Sequence, residues 1–310
     1  MKILKPKFWD KNKGYLSFFL LPLTLVTILI IFLKKKLIKS IKFKISVICV
    51  GNIYVGGTGK TPFAIFLANN LLKIKKRPVI IRKFYKSHED EYRLIKEHFN
   101  QLITANNRIE AIKKAEVSNF DTVILDDGFQ DYSIKKKLNI VCFNQNQLIG
   151  NGFILPAGPL RDSLQSLVEA NIIIINGEKD LEFEKKILEI NHNLDIFYSY
   201  YKPINIDQFK GKEILAIAGI GNPENFFRLV ENNGLVIKKK IVYPDHYNFT
   251  EKEIENILSL AKEKNYQILM TEKDYYKIRD FNKSNFQYLK LTLEIEKKEK
   301  LLNRIKEIYD

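Results

Sequence analysis

Between residues 45 and 61 the chain runs ISVICVGNIYVGGTGKT, an apolar stretch that passes directly into a glycine-rich turn ending in Lys60 and Thr61. The uninterrupted run Ile45–Val50 is the pattern of a strand buried on both faces, and such strands belong to mainly parallel sheets covered by helices on either side. The segment after the turn, Thr61–Leu72, has helical apolar spacing. Strand, glycine-rich turn and helix in this order form a phosphate-binding loop. Its glycines let backbone N–H groups turn inward around phosphate oxygens, and the helix N-terminus adds positive potential. The predicted nucleotide-binding residues are therefore Val55, Gly56, Gly57, Thr58, Gly59, Lys60 and Thr61. Lys60 would reach the β and γ phosphates and the Thr61 hydroxyl would ligate Mg²⁺. Tyr54 stands where the common motif has its first glycine.

Further short apolar runs lie at Val79–Ile81, Thr122–Leu125, Ile140–Phe143 and Ile172–Ile175. The stretches between them are long enough for parallel crossovers, so the predicted fold class is α/β, a P-loop NTPase-like, mainly parallel sheet. The run from Thr122 ends in Asp126-Asp127-Gly128. In phosphate-loop enzymes a strand-end aspartate beside the loop holds the metal, so Asp126 and Asp127 join Thr61 as candidate Mg²⁺ ligands. A second strand-and-turn block begins near Lys212. Asn222-Pro223 marks a helix start, Glu251–Lys264 has helical spacing, and Gln267–Met270 suits a strand. The organisation expected is a basic, apolar, membrane-associated segment over 1–44, a P-loop domain over 45–205 and a smaller α/β domain over 206–310. The lysine-rich stretch from Lys297 to Asp310 reads as a solvated helix.

From Tyr15 to Leu33 no residue is charged, a length that as a helix nearly matches the hydrocarbon thickness of a bilayer. Residues 1–44 hold eleven lysines against the single acid Asp10, so much of the formal charge of +15 sits around this run. Apolar residues framed by lysines suit an anionic membrane surface. Nucleic acid is not the partner expected, because the basic residues flank leucine and isoleucine rather than stacking aromatics. Lysines at both ends leave orientation open, and Pro22 could divide the run. No small-residue cleavage site follows it, which disfavours a removable signal peptide. Two cysteines, Cys49 and Cys142, lie in buried-strand patterns, as expected of a reducing compartment.

Taken in order along nearly the whole chain, the motifs resemble those of the tetraacyldisaccharide 4′-kinases, the lipid A 4′-kinases. The resemblance is carried by Phe8-Trp9, Leu20-Leu21-Pro22-Leu23, Val50-Gly51-Asn52 and Gly56 through Pro62. It continues through Asp126-Asp127-Gly128-Phe129-Gln130, Gly150-Asn151-Gly152, Leu155 through Arg161, Ala218 through Pro223, Asp245-His246 and Thr271-Glu272-Lys273-Asp274. It implies a kinase that uses ATP and Mg²⁺ to phosphorylate the 4′-hydroxyl of a tetraacyldisaccharide 1-phosphate at the cytoplasmic face of the inner membrane. It also implies a catalytic carboxylate at Asp90, with Glu91 beside it among the metal ligands, a catalytic histidine at His246 alongside Lys60, and substrate contacts from Gln130, Asn151 and Arg161. This sequence departs from the family pattern at Glu89, Asp131 and Asp162, and in the stretch Ile81 to Tyr85. A rival function, a membrane-associated regulatory or assembly P-loop ATPase, would use the same loop and would answer to a protein partner instead of an acceptor lipid.

Overall fold

The computed structural model of the chain describes residues 6–9, 14–245, 247–278 and 280–309, which group into two compact units. The larger unit takes in Lys5–Phe84, Phe99–Tyr200 and Leu293–Asp310, and the smaller takes in Tyr85–His98 and Tyr201–Thr292.

The larger unit is built on an eight-stranded sheet. Seven of its strands are Ser46–Gly51 (β1), Pro78–Lys83 (β2), Leu102–Ala105 (β3), Thr122–Asp126 (β4), Leu138–Asn144 (β5), Ile172–Asn176 (β6) and Asp195–Pro203 (β7). A closing strand, Leu291–Ile295, returns beside β7. The order is closing strand, β7, β6, β5, β1, β4, β2, β3, and every pair from β7 to β3 is parallel. The chain therefore winds outward from β1 on one side through β4, β2 and β3, and on the other through β5, β6 and β7. That reversal places a crevice at the carboxyl end of β1, where ligands of such sheets bind.

Burial explains why the apolar runs become strands here. Ile48, Cys49 and Val50 of β1, Ile124 and Leu125 of β4, and Ile140 and Val141 of β5 have no exposed surface. Each such aliphatic side chain contributes roughly 1.5–3 kcal/mol relative to exposure. The helix Lys60–Lys73 follows β1 and buries Phe63, Ala64, Leu67 and Leu71. The C-terminal helix Lys298–Lys306 is not the solvated element expected from its lysines. Leu301 and Ile305 are fully buried and Ile308 nearly so, an apolar stripe at helical spacing.

The smaller unit has a four-stranded parallel sheet made of Glu213–Ala218 (β8), Val236–Val242 (β9), Gln267–Thr271 (β10) and Gln287–Leu289 (β11), in the order β11, β10, β8, β9. Its helix Glu251–Lys264 begins on a capping box between Thr250 and Glu253, and Pro223 opens the helix Pro223–Asn232. The helix Glu89–His98, which follows β2 in sequence, packs in this unit. Arg93 donates to the Tyr276 carbonyl at 3.0 Å and His98 Nε2 meets Glu272 Oε1 at 2.9 Å.

The uncharged N-terminal run forms two helices, Tyr15–Phe19 and Leu21–Leu37, which part at Leu20. Among the described residues no helix is long and apolar enough to cross a membrane. Two of their hydroxyl residues, Ser17 and Thr24, face inward. Ser17 is buried, and Thr24 Oγ1 donates to the Ile154 carbonyl and accepts from the Ala157 N–H, both at 3.2 Å. Leu16, Phe19, Leu23, Leu25, Val26, Leu29 and Phe32 are exposed, leaving an apolar surface around the outside.

Candidate functional site

The glycine-rich loop leaves the carboxyl end of β1 and is held from below by Asn52. Its Nδ2 donates to the Tyr54 carbonyl at 2.6 Å and to Thr58 Oγ1 at 3.0 Å, and the Asn52 carbonyl accepts from Gln130 Nε2 at 2.8 Å. Gly56 at φ +120° and Gly59 at φ +88° adopt backbone conformations that side chains disfavour, and a Cβ on Gly56 or Gly57 would meet no protein atom within 4 Å. The loop is thus an open cradle of backbone. Tyr54, at the departure from the common motif, is fully buried. It bridges to Leu160, and the neighbouring Val55 N–H donates to the Pro159 carbonyl at 2.9 Å. The Tyr54 side chain belongs to the same buried cluster as Ile154 and Leu160, packing that a glycine would lack.

Beside the loop, β4 delivers its two aspartates to different partners. The Thr61 hydroxyl donates to Asp126 Oδ2 at 2.9 Å, whereas Asp126 Oδ1 is buried with no hydrogen-bond partner. Arg82, near the end of β2, donates from one guanidinium nitrogen to Thr61 Oγ1 at 2.9 Å and to Asp126 Oδ2. Asp127 turns away at φ +63°, the left-handed region, and its backbone carbonyl accepts from Arg108 at 2.7 Å. Its carboxylate lies 3.6 Å from Lys60 Nζ and accepts from Arg161 at 2.8 and 3.0 Å.

Burial lowers the proton affinity of Lys60, with Asp127 pulling in the opposite direction. Burial also resists ionisation of Asp127, but the charges of Lys60 and Arg161 prevail and hold its carboxyl well below the usual range. Both cysteines are buried and unpaired, and burial pushes the Cys49 thiol up to about 12.

The predicted residues fall into two groups. Val55 to Thr61, Asp126, Asp127 and Arg161 are brought together at the head of β1 and β4, and Gln130 supports the loop from beneath. Asn151 spends its side chain inside the fold. Its Nδ2 donates to Ser17 Oγ and the Ala157 carbonyl at 3.0 Å, its Oδ1 accepts from the Phe153 N–H at 3.1 Å, and a Cβ on Gly158 would lie 2.2 Å from that Oδ1.

Asp90 and Glu91 belong to the smaller unit. Asp90 is only 6% exposed, with Lys277 Nζ at 3.5 Å and Lys273 Nζ at 3.7 Å, so it is not the solvated helix start that its charged neighbours suggest. Lys277 also pairs with the fully buried Asp274 at 2.7 Å, and Lys273 meets Glu91 at 3.2 Å and Asp245 at 2.9 Å. His246 lies outside the described residues. Arg82, Arg108 and Lys277 were not singled out by the sequence. For Arg82 the available signal was a charge directly after the apolar run Val79–Ile81 in a strand buried on both sides.

A phosphate-binding loop at the switch point of a parallel sheet, with a lysine, a hydroxyl and two strand-end aspartates around it, defines a P-loop nucleotide-binding protein. The family model described as tetraacyldisaccharide-1-P 4′-kinase matches residues 16–310, and the chain belongs to that family. It is 40% identical over 310 residues to a tetraacyldisaccharide 4′-kinase of Pelagibacter ubique, with 98% of each chain covered. It is also 34% identical over 320 residues to a tetraacyldisaccharide 4′-kinase of Rickettsia peacockii, again with 98% of each covered. A crystal structure of LpxK from Aquifex aeolicus in complex with ATP superposes with a TM-score of 0.74 at 27% identity, covering 95% of this chain and all of that one. The resemblance read from the motifs and the α/β fold class are both borne out.

Proposed function

We propose that this chain transfers the γ-phosphate of ATP to the 4′-hydroxyl of a tetraacyldisaccharide 1-phosphate, the kinase step of lipid A biosynthesis that defines its family. The observation that carries the reading at the level of chemistry is the open backbone cradle next to Lys60 and the Thr61–Asp126 pair. No observation favours the assembly ATPase.

The residues present fit a divalent cation. Asp126 keeps one buried, unpartnered carboxylate oxygen next to the Thr61 hydroxyl, a hard-oxygen donor set of the kind Mg²⁺ accepts while retaining waters and phosphate oxygens. Thr61 and Asp126 would hold the ion, which would supply charge neutralisation at the phosphates. Asp127, already engaged by Lys60 and Arg161, is better suited to orienting those two cations.

In the reaction, the loop amides and Lys60 bind and orient the triphosphate. A bond forms between the sugar O4′ and the γ-phosphorus as the bond to the β–γ bridging oxygen breaks, and ADP leaves with that electron pair. Asp90 would accept the hydroxyl proton late in the transfer, assisted by His246. The acceptor carries acyl chains, so the exposed apolar helices Tyr15–Phe19 and Leu21–Leu37, the second with Lys34 and Lys36 exposed in its last turn, would hold the protein at an anionic membrane surface on the cytoplasmic side.

Incubating the purified full chain with labelled ATP and the disaccharide 1-phosphate lipid, then locating the new phosphate, tests activity and regiochemistry together. Label at the 4′ position supports the reading. Label elsewhere, or lipid-independent ATP turnover, overturns it.

A further inference from the structure

Arg82 has no part in the reading so far, yet its guanidinium is the nearest cation to the pair of residues assigned to the metal. The side chain is almost wholly buried on β2, whose register sets Arg82 directly beside Asp126 on β4. It bonds to Thr61 Oγ1 at 2.9 Å and to Asp126 Oδ2, the same two groups that a divalent ion would join. A buried carboxylate without a partner is strongly disfavoured, and a fully buried Asp126 needs positive charge whether or not a metal is bound. Asp126 Oδ1 remains unsatisfied even so, which leaves one oxygen for a second cation.

We propose that Arg82 is the resident counter-cation of the Thr61–Asp126 pair. It holds the two residues together when no metal is present and competes with the metal for Asp126. It is a positioning residue that touches neither substrate nor reacting atoms. A guanidinium is suited to this, because it stays charged when desolvated and can serve two acceptors at once. The proposal rests on the assignment of Thr61 and Asp126 as metal ligands.

Two consequences have opposite signs, which separates this role from a merely structural one. Without Arg82 the metal-free protein loses the charge that balances Asp126, so its thermal midpoint falls. Without Arg82 the metal no longer meets a competing positive charge, so the metal binds more tightly.

The test uses the full chain with Mn²⁺ as probe, counting bound ion by loss of the free-ion EPR signal at a fixed ADP concentration. Arg82→Met should bind Mn²⁺ about tenfold tighter, the order expected for removing one neighbouring charge at an intermediate dielectric. Its metal-free thermal midpoint should fall below that of the wild type, with the deficit narrowing when Mn²⁺ and ADP are added. Asp126→Asn should weaken Mn²⁺ binding.

If Asp126→Asn weakens Mn²⁺ but Arg82→Met leaves it unchanged or weaker, the role of Arg82 is overturned while the metal assignment stands. If Asp126→Asn has no effect, both fall. Should Arg82→Met not fold, Arg82→Gln serves in its place. Its amide removes the charge but keeps a hydrogen-bond donor, so Mn²⁺ should still bind more tightly than in wild type, and wild-type affinity would overturn the proposal.

Discussion

Arg161 donates to both carboxylate oxygens of Asp127, at 2.8 and 3.0 Å, from a single guanidinium nitrogen. The planar fork of arginine is therefore not what the contact uses, and one ammonium could make it. Arg161→Ala leaves Asp127 to Lys60 alone and should draw Lys60 away from the phosphates. Turnover is expected to fall about 10²-fold, the range for loss of one preorganised electrostatic group. Arg161→Lys should recover most of that loss. Steady-state kinetics of the two variants decide the matter, and equal losses would mean that the fork itself, or a direct contact to substrate, is what counts.

Lys60 is the group proposed to reach the β and γ phosphates, and its removal should act on the transition state rather than on the fold. Lys60→Ala still leaves Asp127 paired with Arg161, so no buried carboxylate is stranded. The thermal midpoint should stay within a few degrees of wild type while kcat falls by on the order of 10³ or more. Retention of more than about a tenth of the activity would remove Lys60 from the proposed role.

What the sequence made legible was whatever is local and doubly buried. β1, β4, β5, β6 and β10 are continuous apolar runs, and the phosphate loop announces itself between one of them and a helix. The edge strand β9, VIKKKIV, hid because most of its side chains are exposed and three lysines interrupt its apolar residues. β3 is only four residues long, and β7 mixes buried Phe197, Tyr198 and Ser199 with exposed Tyr200. Leu301, Ile305 and Ile308 sit among so many charges that their stripe was read as a solvated helix. The environments of Asp90 and Asp126 were illegible for another reason. Lys277 and Arg82 reach them from distant segments of chain, and no local pattern records a pairing made by the tertiary fold.

His98 gives the smaller unit a pH dependence of defined sign. Its hydrogen bond to Glu272 raises its pKa above the model-peptide 6.5, against the opposing effect of partial burial. A raised folded-state value stabilises the fold fully below pH 6.5, and the contribution is lost as pH rises through the folded pKa. The ring is 40% exposed, so solvent screening limits the effect to less than about 1 kcal/mol. Thermal midpoints at pH 5.5 and 8.5, a span of about three units around the ordinary histidine value, should differ less in His98→Gln than in wild type. An unchanged difference would assign the pH dependence to other groups.

On the proposed reading the N-terminal helices serve two purposes that deletion would confound. Thr24 ties the helix Leu21–Leu37 to the carbonyl of Ile154 and the N–H of Ala157, and Lys35 pairs at 3.0 Å with the buried Asp162, next to Arg161. A chain starting near residue 41 would lose the proposed membrane surface and also the contacts of Thr24 and Lys35, so lost activity would not say which had failed. Leu25 and Leu29 are 66% and 55% exposed and lie one turn apart. Leu25→Glu combined with Leu29→Glu should therefore leave the thermal midpoint and ATP binding near wild type, because neither side chain belongs to the core. It should markedly reduce sedimentation with anionic vesicles, since two charges must be desolvated where apolar burial and lysine attraction held the helix. Activity on vesicle-embedded acceptor should fall with it, while activity on detergent-dispersed acceptor is largely kept. Undiminished vesicle binding by the double variant would mean that this apolar face is not the surface that meets the lipid.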